Sequence, residues 1–552
     1  MRKTRVLISN EFSEFATGFA TYMKYILPFL HKTGKYEIAE HGINLNPQHP
    51  GILDVPWQVY PNDPPLGDEN AWRAYSQDPR NNLGLWSFDR VVLDFKPDIV
   101  VSIADPWWIN HIVRSPLKPF YKFVFMHTCD GAPQKYEWLD DTSLCDVVLT
   151  YSLWAKNVLE QESKGKIEVA GVASPGVDLE VFKPLENKAL ERKNFGLRED
   201  AIIFGTVMRN QPRKLFPEIM RAFVKYLELC KESGRDDLYE RSFLYFHTSQ
   251  PDVGWALNEE LKRHKLSHKV IFTYMCHKCG HVYPSFFDGE VSVCRSCRDH
   301  TGRTSNPSRG VSREILAKIM GMFDLYIQHS IAAGWEMPIN DAKACGVFVL
   351  ATEYSAMQEQ CYNGGAKPIP VKQFVQEPLQ QTNQLRAWAD NDKLAELMFE
   401  HVTLSPEAQK IRSQEARACV EKYYNWARIA KIWETVFDQI PQSNNWDNPP
   451  NFKQPNLNIP QNLNNNQFIE FCIHEILQDP RLLNSEYAQN FVAALNKGYE
   501  SGIDGLGRSY QRPITREDIV RNILNEVNRY NTIEAARLNY NKSNNGVAHV
   551  SI

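Results

Sequence analysis

Residues 330–346 read SIAAGWEMPINDAKACG and run straight into Val347, Phe348, Val349 and Leu350. Gly334 and Pro338 bracket a tight turn, the residues from Ile339 to Cys345 make a short helix, Gly346 ends it, and the apolar run is a buried strand. A loop, helix and strand in that order belong to an α/β protein. The helix N-terminus lies beside two carboxylates, Glu336 and Asp341, which suits it to hold a diphosphate on backbone amides and a sugar hydroxyl on an acid. An ordinary turn with a solvated acid has the same local pattern, so the surrounding chain must decide.

Just upstream, residues 312–322 have a helical period and 324–328 (DLYIQ) form a strand. Residues 201–207 (AIIFGTV) are another strand, 208–215 (MRNQPRKL) a loop, and 216–229 a helix. Arg209, Arg213 and Lys214 crowd that loop at the strand's carboxyl end, where fixed cations suit a diphosphate; a solvated basic loop is the alternative. Strand runs at 243–247 and 269–274 complete this region.

The N-terminal part repeats the alternation. Residues 5–9 (RVLIS) begin a first βα unit, with Gly18 where the loop meets the helix, and apolar runs follow at 97–104, 122–126, 145–150 and 167–173. Such a pattern implies a parallel sheet with right-handed crossovers, in which ligands sit at the carboxyl ends of the strands. Asp105 and His127 directly follow two of those ends. A histidine there either bonds a ligand hydroxyl or is a partly buried group bonded to the backbone. The turn-rich stretch 174–184 (SPGVDLEVFKP) separates the two halves.

Eleven cysteines are present, and four of them form two knuckles, Cys276-x-x-Cys279 and Cys294-x-x-Cys297, with fourteen residues between. Two such turns close a tetrahedral four-thiolate cage suited to Zn2+, with no open position and therefore a structural role. The intervening GHVYPSFFDGEVSV reads as the β-hairpin of a zinc ribbon, too small to fold without metal. Lys278, Arg295, Arg298, Arg303 and Arg309 make the surroundings basic, either as an anion-contacting face or as a solvated one.

Downstream, residues 392–421 read helical and 424–440 (YNWARIAKIWETVFDQI) form an amphipathic helix whose aromatics belong to a core. Residues 441–467, rich in Asn, Pro and Gln, read as a linker, and 468–540 regain helical periodicity as an appendage with an interaction or oligomerisation role. The chain has 552 residues, 43% hydrophobic and 23% charged, with a net charge of −4, so it is a multi-domain globular protein without a global pull toward nucleic acid or membrane. No apolar run approaches the roughly 20 residues of a membrane span, and the N-terminus reads directly into a strand, which gives the expectation of a cytoplasmic protein with reduced thiols.

Taken in order, SPGVDLEVFKP, GTVMRNQPRKL, SIAAGWEMPINDAKACGVFVL and the helix with Trp426 resemble the large retaining nucleotide-sugar glycosyltransferase family (family four) of GT-B fold, over residues 1–440. The resemblance implies an α/β protein of two Rossmann-like domains facing a cleft. These are an acceptor-side domain at 1–185, completed by a returning helix at 424–440, and a donor-binding domain at 186–423. The zinc ribbon is an insertion at 274–303, and a linker at 441–467 leads to a helical extension at 468–552. It implies a nucleotide-diphosphate sugar as donor and no catalytic metal, so that the structural Zn2+ read from the cysteine spacing belongs to the ribbon alone. Carried over residue by residue, Arg209 and Lys214 hold the diphosphate, Asp341 the ribose, and Met337 and Pro338 belong to the loop whose amides meet the phosphates. His127 stands beside the donor sugar and Gly18 near the phosphates.

The family's first signature glutamate falls on Ala333, and Glu336 stands where the family has glycine. Three readings follow. Glu336 takes over the missing acid's role and the chain is a retaining hexosyltransferase, with a glycan, a protein or a modified DNA base as acceptor. Alternatively it is a catalytically impaired nucleotide-sugar-binding protein on the same scaffold. In the third reading the zinc ribbon makes modified bases in DNA the acceptor.

Overall fold

The computed structural model describes residues 2–115, 117–250, 252–305, 310–378, 381–443, 446, 459–472, 515–517, 519 and 520. Two sheets dominate. The first is built from β1 (Thr4–Glu11), β2 (Tyr36–Ile43), β3 (Gln58–Pro61), β4 (Ile99–Ala104), β5 (Lys122–His127), β6 (Val147–Thr150) and β7 (Val169–Val172) in the order β3-β2-β1-β4-β5-β6-β7. Every pair in it is parallel. β4 is buried at all six positions, which explains its unbroken apolar run rather than an alternating one.

The second sheet comprises β8 (Ile202–Val207), β9 (Ser242–His247), β10 (Val270–Cys276), β11 (Val282–Phe286), β12 (Gly302–Thr304), β13 (Leu325–Gln328), β14 (Phe348–Thr352) and β15 (Ala366–Ile369). Its order is β11-β10-β9-β8-β13-β14-β15, with β12 paired to β10. Strand order reverses between β1 and β4 in one sheet and between β8 and β13 in the other, and crevices for ligands open at such reversals.

The amphipathic helix after the second sheet spans Trp426–Gln439 and packs on the first. Trp426 stacks on Tyr25 at 5.0 Å and meets Tyr22 edge-on at 5.3 Å, while the fully buried Trp433 donates its indole N–H to the Tyr22 hydroxyl at 2.8 Å. The aromatics of this segment are core, as their spacing implies.

Several elements differ from the sequence reading. The stretch read as one helix over 392–421 is two, Asn391–Thr403 and Pro406–Tyr423. Pro406 supplies no amide for a continuing helix and holds the preceding residue extended, so Ser405 (φ −61°, ψ 153°) becomes the cap of the second. The helix expected from Ile339 begins at Met337, because Pro338 fits a first turn as well as it fits a loop.

The insertion between the cysteine pairs is not a self-contained hairpin. Val282–Phe286 pairs antiparallel with β10, from Ile271↔Phe286 to Met275↔Val282, and so extends the main sheet. A two-stranded sheet unread in the sequence, β16 (Val371–Gln376) with β17 (Leu385–Ala389), follows β15.

Within the stretch read as a linker, Trp446 docks against Phe120 and donates to the Pro97 carbonyl at 2.8 Å, and the Ser443 amide donates to Asp98 at 2.6 Å. A tryptophan among the Asn and Pro residues was the signal for this anchor. A helix at Asn465–Phe471 begins inside the stretch read as linker and crosses into the helical appendage; the rest of the appendage, apart from 472, 515–517, 519 and 520, lies outside the described residues.

Trp433→Ala deletes a fully buried indole from the seam between the returning helix and the first sheet. A loss of about 3–5 kcal/mol is expected, read as a lower denaturant midpoint for the first-sheet unit.

Candidate functional site

The loop after β8 is zippered onto the segment after β13. Lys214 and Ser330 form a bridge, the Leu215 amide donates to His329 O at 3.0 Å, and the Ile331 amide to Arg213 O at 3.1 Å. This pairing carries the Lys214 ammonium to the N-terminus of the Met337–Ala344 helix, where it donates to a carboxylate oxygen of Glu336, the N-cap residue. Both side chains are buried, 5% and 8% exposed. Burial, together with the neighbouring Arg213, pushes the Lys214 ammonium down to about 8, against the opposing pull of Glu336.

The Glu336 carboxylate makes no capping bond to the helix it begins. It faces Lys214, the Ser330 hydroxyl at 3.5 Å and Arg213 at 4.0 Å. A cation, a serine hydroxyl and the first turn of a helix therefore surround one anionic group. Met337 and Pro338 form that first turn.

Arg209, at the start of the loop, makes a two-pronged ion pair with Asp252, Nε to Oδ2 at 3.0 Å and Nη2 to Oδ1 at 3.1 Å. Asp341 is on the same helix as Met337, and burial raises its carboxyl to about 7, with Arg313 opposing and Asp178 adding to the rise. Ala333 sits in the core, its amide donating to Ser355 Oγ at 3.0 Å, so its methyl group fills apolar space.

The first sheet contributes the facing wall. His127 ends β5, is fully buried, and has no hydrogen-bond partner on either ring nitrogen among the described residues. Burial drives its imidazole down to about 3, so it is neutral. Next to it, Asp105 accepts from Thr128 Oγ1 at 2.8 Å, and burial with the nearby Asp130 raises its carboxyl to about 7. The two walls touch: a Cβ placed on Gly334 would stand 3.0 Å from Thr128 O. Gly18 opens the helix Gly18–Lys32 after the Thr17 cap, and a Cβ there would meet nothing within 4 Å.

Sequence reasoning missed the groups that join the walls. Leu385 of β17 donates its amide to Ala132 O at 2.8 Å, and the buried Arg386 reaches Asp130 at 3.2 Å and Glu377 at 3.0 Å. The short, largely apolar LRAWA run with its tryptophan was the available signal. Between this hairpin and the cationic loop lies a cavity of about 480 Å3, lined by Pro212, Arg213, Trp255, Ile331, Arg386 and Trp388 among others.

The four cysteines converge: their sulfurs all lie within 4.8 Å of one another, with Cys276–Cys297 at 3.6 Å and Cys279–Cys294 at 3.7 Å. A tetrahedron of thiolates at about 2.3 Å from zinc has edges of about 3.8 Å, so these residues fit the ion. Lys278 beside them is tied to Asp299.

No family model matches the sequence. Over 57 residues, 10% of this chain, it is 47% identical to a D-inositol 3-phosphate glycosyltransferase of Kribbella flavida, and the match spans 13% of that protein. Solved structures are similar over most of the chain. Anabaena HepE, solved with UDP and glucose, aligns over 79% of this chain and 100% of its own at 13% identity, TM-score 0.52. Sucrose-phosphate synthase of Thermosynechococcus elongatus aligns over 79% and 99% at 14% identity, TM-score 0.54. The fold is GT-B. A glycosyltransferase of Rickettsia africae, aligned over 80% and 99% at 14% identity with TM-score 0.53, has the same architecture.

Asp341 offers a test of the site's electrostatics. Its folded carboxyl titrates near 7 and its unfolded one near the ordinary value of about 3.9, so the native state holds the extra proton between them and stability falls as pH rises through that window. Asp341→Asn should therefore melt above the wild type at pH 8, by a smaller margin at pH 5, and converge with it only below about pH 4, as followed by thermal unfolding.

Proposed function

We propose that this chain is a retaining glycosyltransferase that moves a sugar from a nucleotide-diphosphate donor to an acceptor held against the first sheet. The single observation that carries the reading is the buried Lys214 cation at a helix N-terminus on the β8/β13 reversal, on a wall that touches, through Gly334 and Thr128, the wall where His127 has no hydrogen-bond partner among the described residues. In this reading residues 186–423 bind the donor and residues 1–185, with the 424–440 helix, the acceptor.

The chemistry follows from the placement. The donor diphosphate takes the anionic position that Glu336 holds, between Lys214, Ser330 and the amides of the first helical turn. The bond between the sugar's anomeric carbon and the phosphate oxygen breaks, and its electron pair leaves with the nucleoside diphosphate. Lys214 and the helix dipole stabilise that charge. The acceptor oxygen bonds to the anomeric carbon from the face the diphosphate leaves, and its proton passes to a departing phosphate oxygen. His127, neutral and with neither ring nitrogen hydrogen-bonded among the described residues, bonds a donor-sugar hydroxyl; Asp341 holds the ribose. Gly18 leaves room for the phosphates at the opposite wall. The four cysteines hold a structural zinc, and no step uses it.

A second reading, a nucleotide-sugar-binding protein without transfer, is favoured by Ala333, whose methyl occupies the core where the family's first acid would stand.

UDP-glucose, the ligand of one structure of the Anabaena neighbour, is the first donor to test within a panel of UDP-, GDP- and ADP-sugars, followed by mass spectrometry. Transfer or hydrolysis of a panel member is expected from the wild type. Lys214→Gln, which keeps a donor for Glu336 but removes the charge, should lower the rate by at least about a hundredfold. Wild-type turnover in that variant would overturn the assignment, and saturable binding without turnover across the panel would establish the second reading.

A further inference from the structure

The geometry points to Thr304, on the last strand of the cysteine insertion, as the residue that positions Arg209 for the donor; we infer that the insertion is a brace for the diphosphate loop. This rests on the donor-site reading above.

The chain of contacts is continuous. β12 pairs with the end of β10 in the register Tyr274↔Thr304, Met275↔Arg303 and Cys276↔Gly302, so the strand that ends on the first cysteine of the cluster also fixes Thr304. The Thr304 hydroxyl then makes a reciprocal pair with one backbone unit of the loop after β9: it accepts from the Gln250 amide at 2.9 Å and donates to the Gln250 carbonyl at 3.0 Å. Two residues on, Asp252 is held by Ser249 Oγ and by the Val253 amide, each at 2.7 Å, and aims its carboxylate at Arg209.

The same loop grips the other side of the cationic segment. The Trp255 amide donates to Asn210 Oδ1 at 2.9 Å, Asn210 Nδ2 donates to Trp255 O at 2.9 Å, and the Trp255 indole donates to Lys214 O at 2.8 Å. Close approach is enforced at Gly254, where a Cβ would lie 2.5 Å from Asn210 Oδ1. Lys214 is also fixed independently by its bridge to Ser330 and the flanking backbone bonds, so the pin that the Thr304 hydroxyl gives this loop bears on Arg209 through Asp252. Arg209 is 46% exposed and carries a long, rotamer-rich side chain, so without Asp252 in place it loses its preset direction.

The test uses the full chain and UDP as probe, with affinity read by calorimetry. Thr304→Val keeps the shape and removes the hydroxyl. It should weaken UDP about three- to tenfold, while Thr304→Ser restores the wild-type value. In an Arg209→Ala background Thr304→Val should cause no further loss, and hydrogen exchange at the Gln250 amide should rise in Thr304→Val whether or not UDP is present. Stripping the cysteine site with a chelator should reproduce the loss in the wild type and add none to Arg209→Ala. Equal losses in both backgrounds, or an unchanged affinity in Thr304→Val when Arg209→Ala is weakened, would overturn the inference alone. An Arg209→Ala variant that binds UDP like the wild type would overturn the donor-site reading as well.

Discussion

The contact on which the site depends is the buried ion pair between Lys214 and Glu336. Taking two charges out of water is costly, and the mutual attraction offsets that cost only with good geometry and further hydrogen bonds. Lys214 is delivered by a loop clamped between the 329–331 segment and Trp255, and Glu336 is delivered as the N-cap residue of the Met337–Ala344 helix, its carboxylate turned to Lys214 and Ser330. Removing either partner leaves a buried charge alone, which typically costs 3–5 kcal/mol. An arrangement so dependent on one anion is also one that a stronger anion can take over. A diphosphate brings two charges and several acceptor oxygens to the position of a single carboxylate.

The rest of the fold supports that position. Parallel sheets bring the β8 and β13 ends together at a reversal of strand order, and the first sheet presents its own reversal opposite. The walls are kept in contact by Gly334 against Thr128, by the Leu385–Ala132 hydrogen bond and by Arg386 between Asp130 and Glu377. The Trp426–Gln439 helix closes the chain back onto the first sheet, so the two halves are joined by aromatic packing as well as by the crossover segment.

Much of this was legible in the chain. Strands buried on both faces announce themselves as apolar runs, which is why β4, β5, β8 and β13 could be read, and the C-x-x-C spacing led directly to sulfurs that meet within bonding range of one ion. What could not be read depends on tertiary contacts. β2 carries Glu40 and His41 in its buried stretch, each satisfied by partners distant in sequence, so its run looks polar. The β16–β17 hairpin lies half exposed, and its meaning comes from the loop it touches in the other half. The sequence placed Glu336 beside the helix; that its carboxylate turns to Lys214 rather than to solvent follows from the bridge between Lys214 and Ser330, a pairing across more than a hundred residues.

The most direct measurement of the central claim is a crystal structure of the full chain with UDP bound. The account predicts the distal phosphate of UDP within hydrogen-bond distance of Lys214 Nζ and the amides at the start of the Met337–Ala344 helix, with the Glu336 carboxylate displaced from Lys214. UDP bound elsewhere, with the Lys214–Glu336 pair intact beneath it, would contradict it.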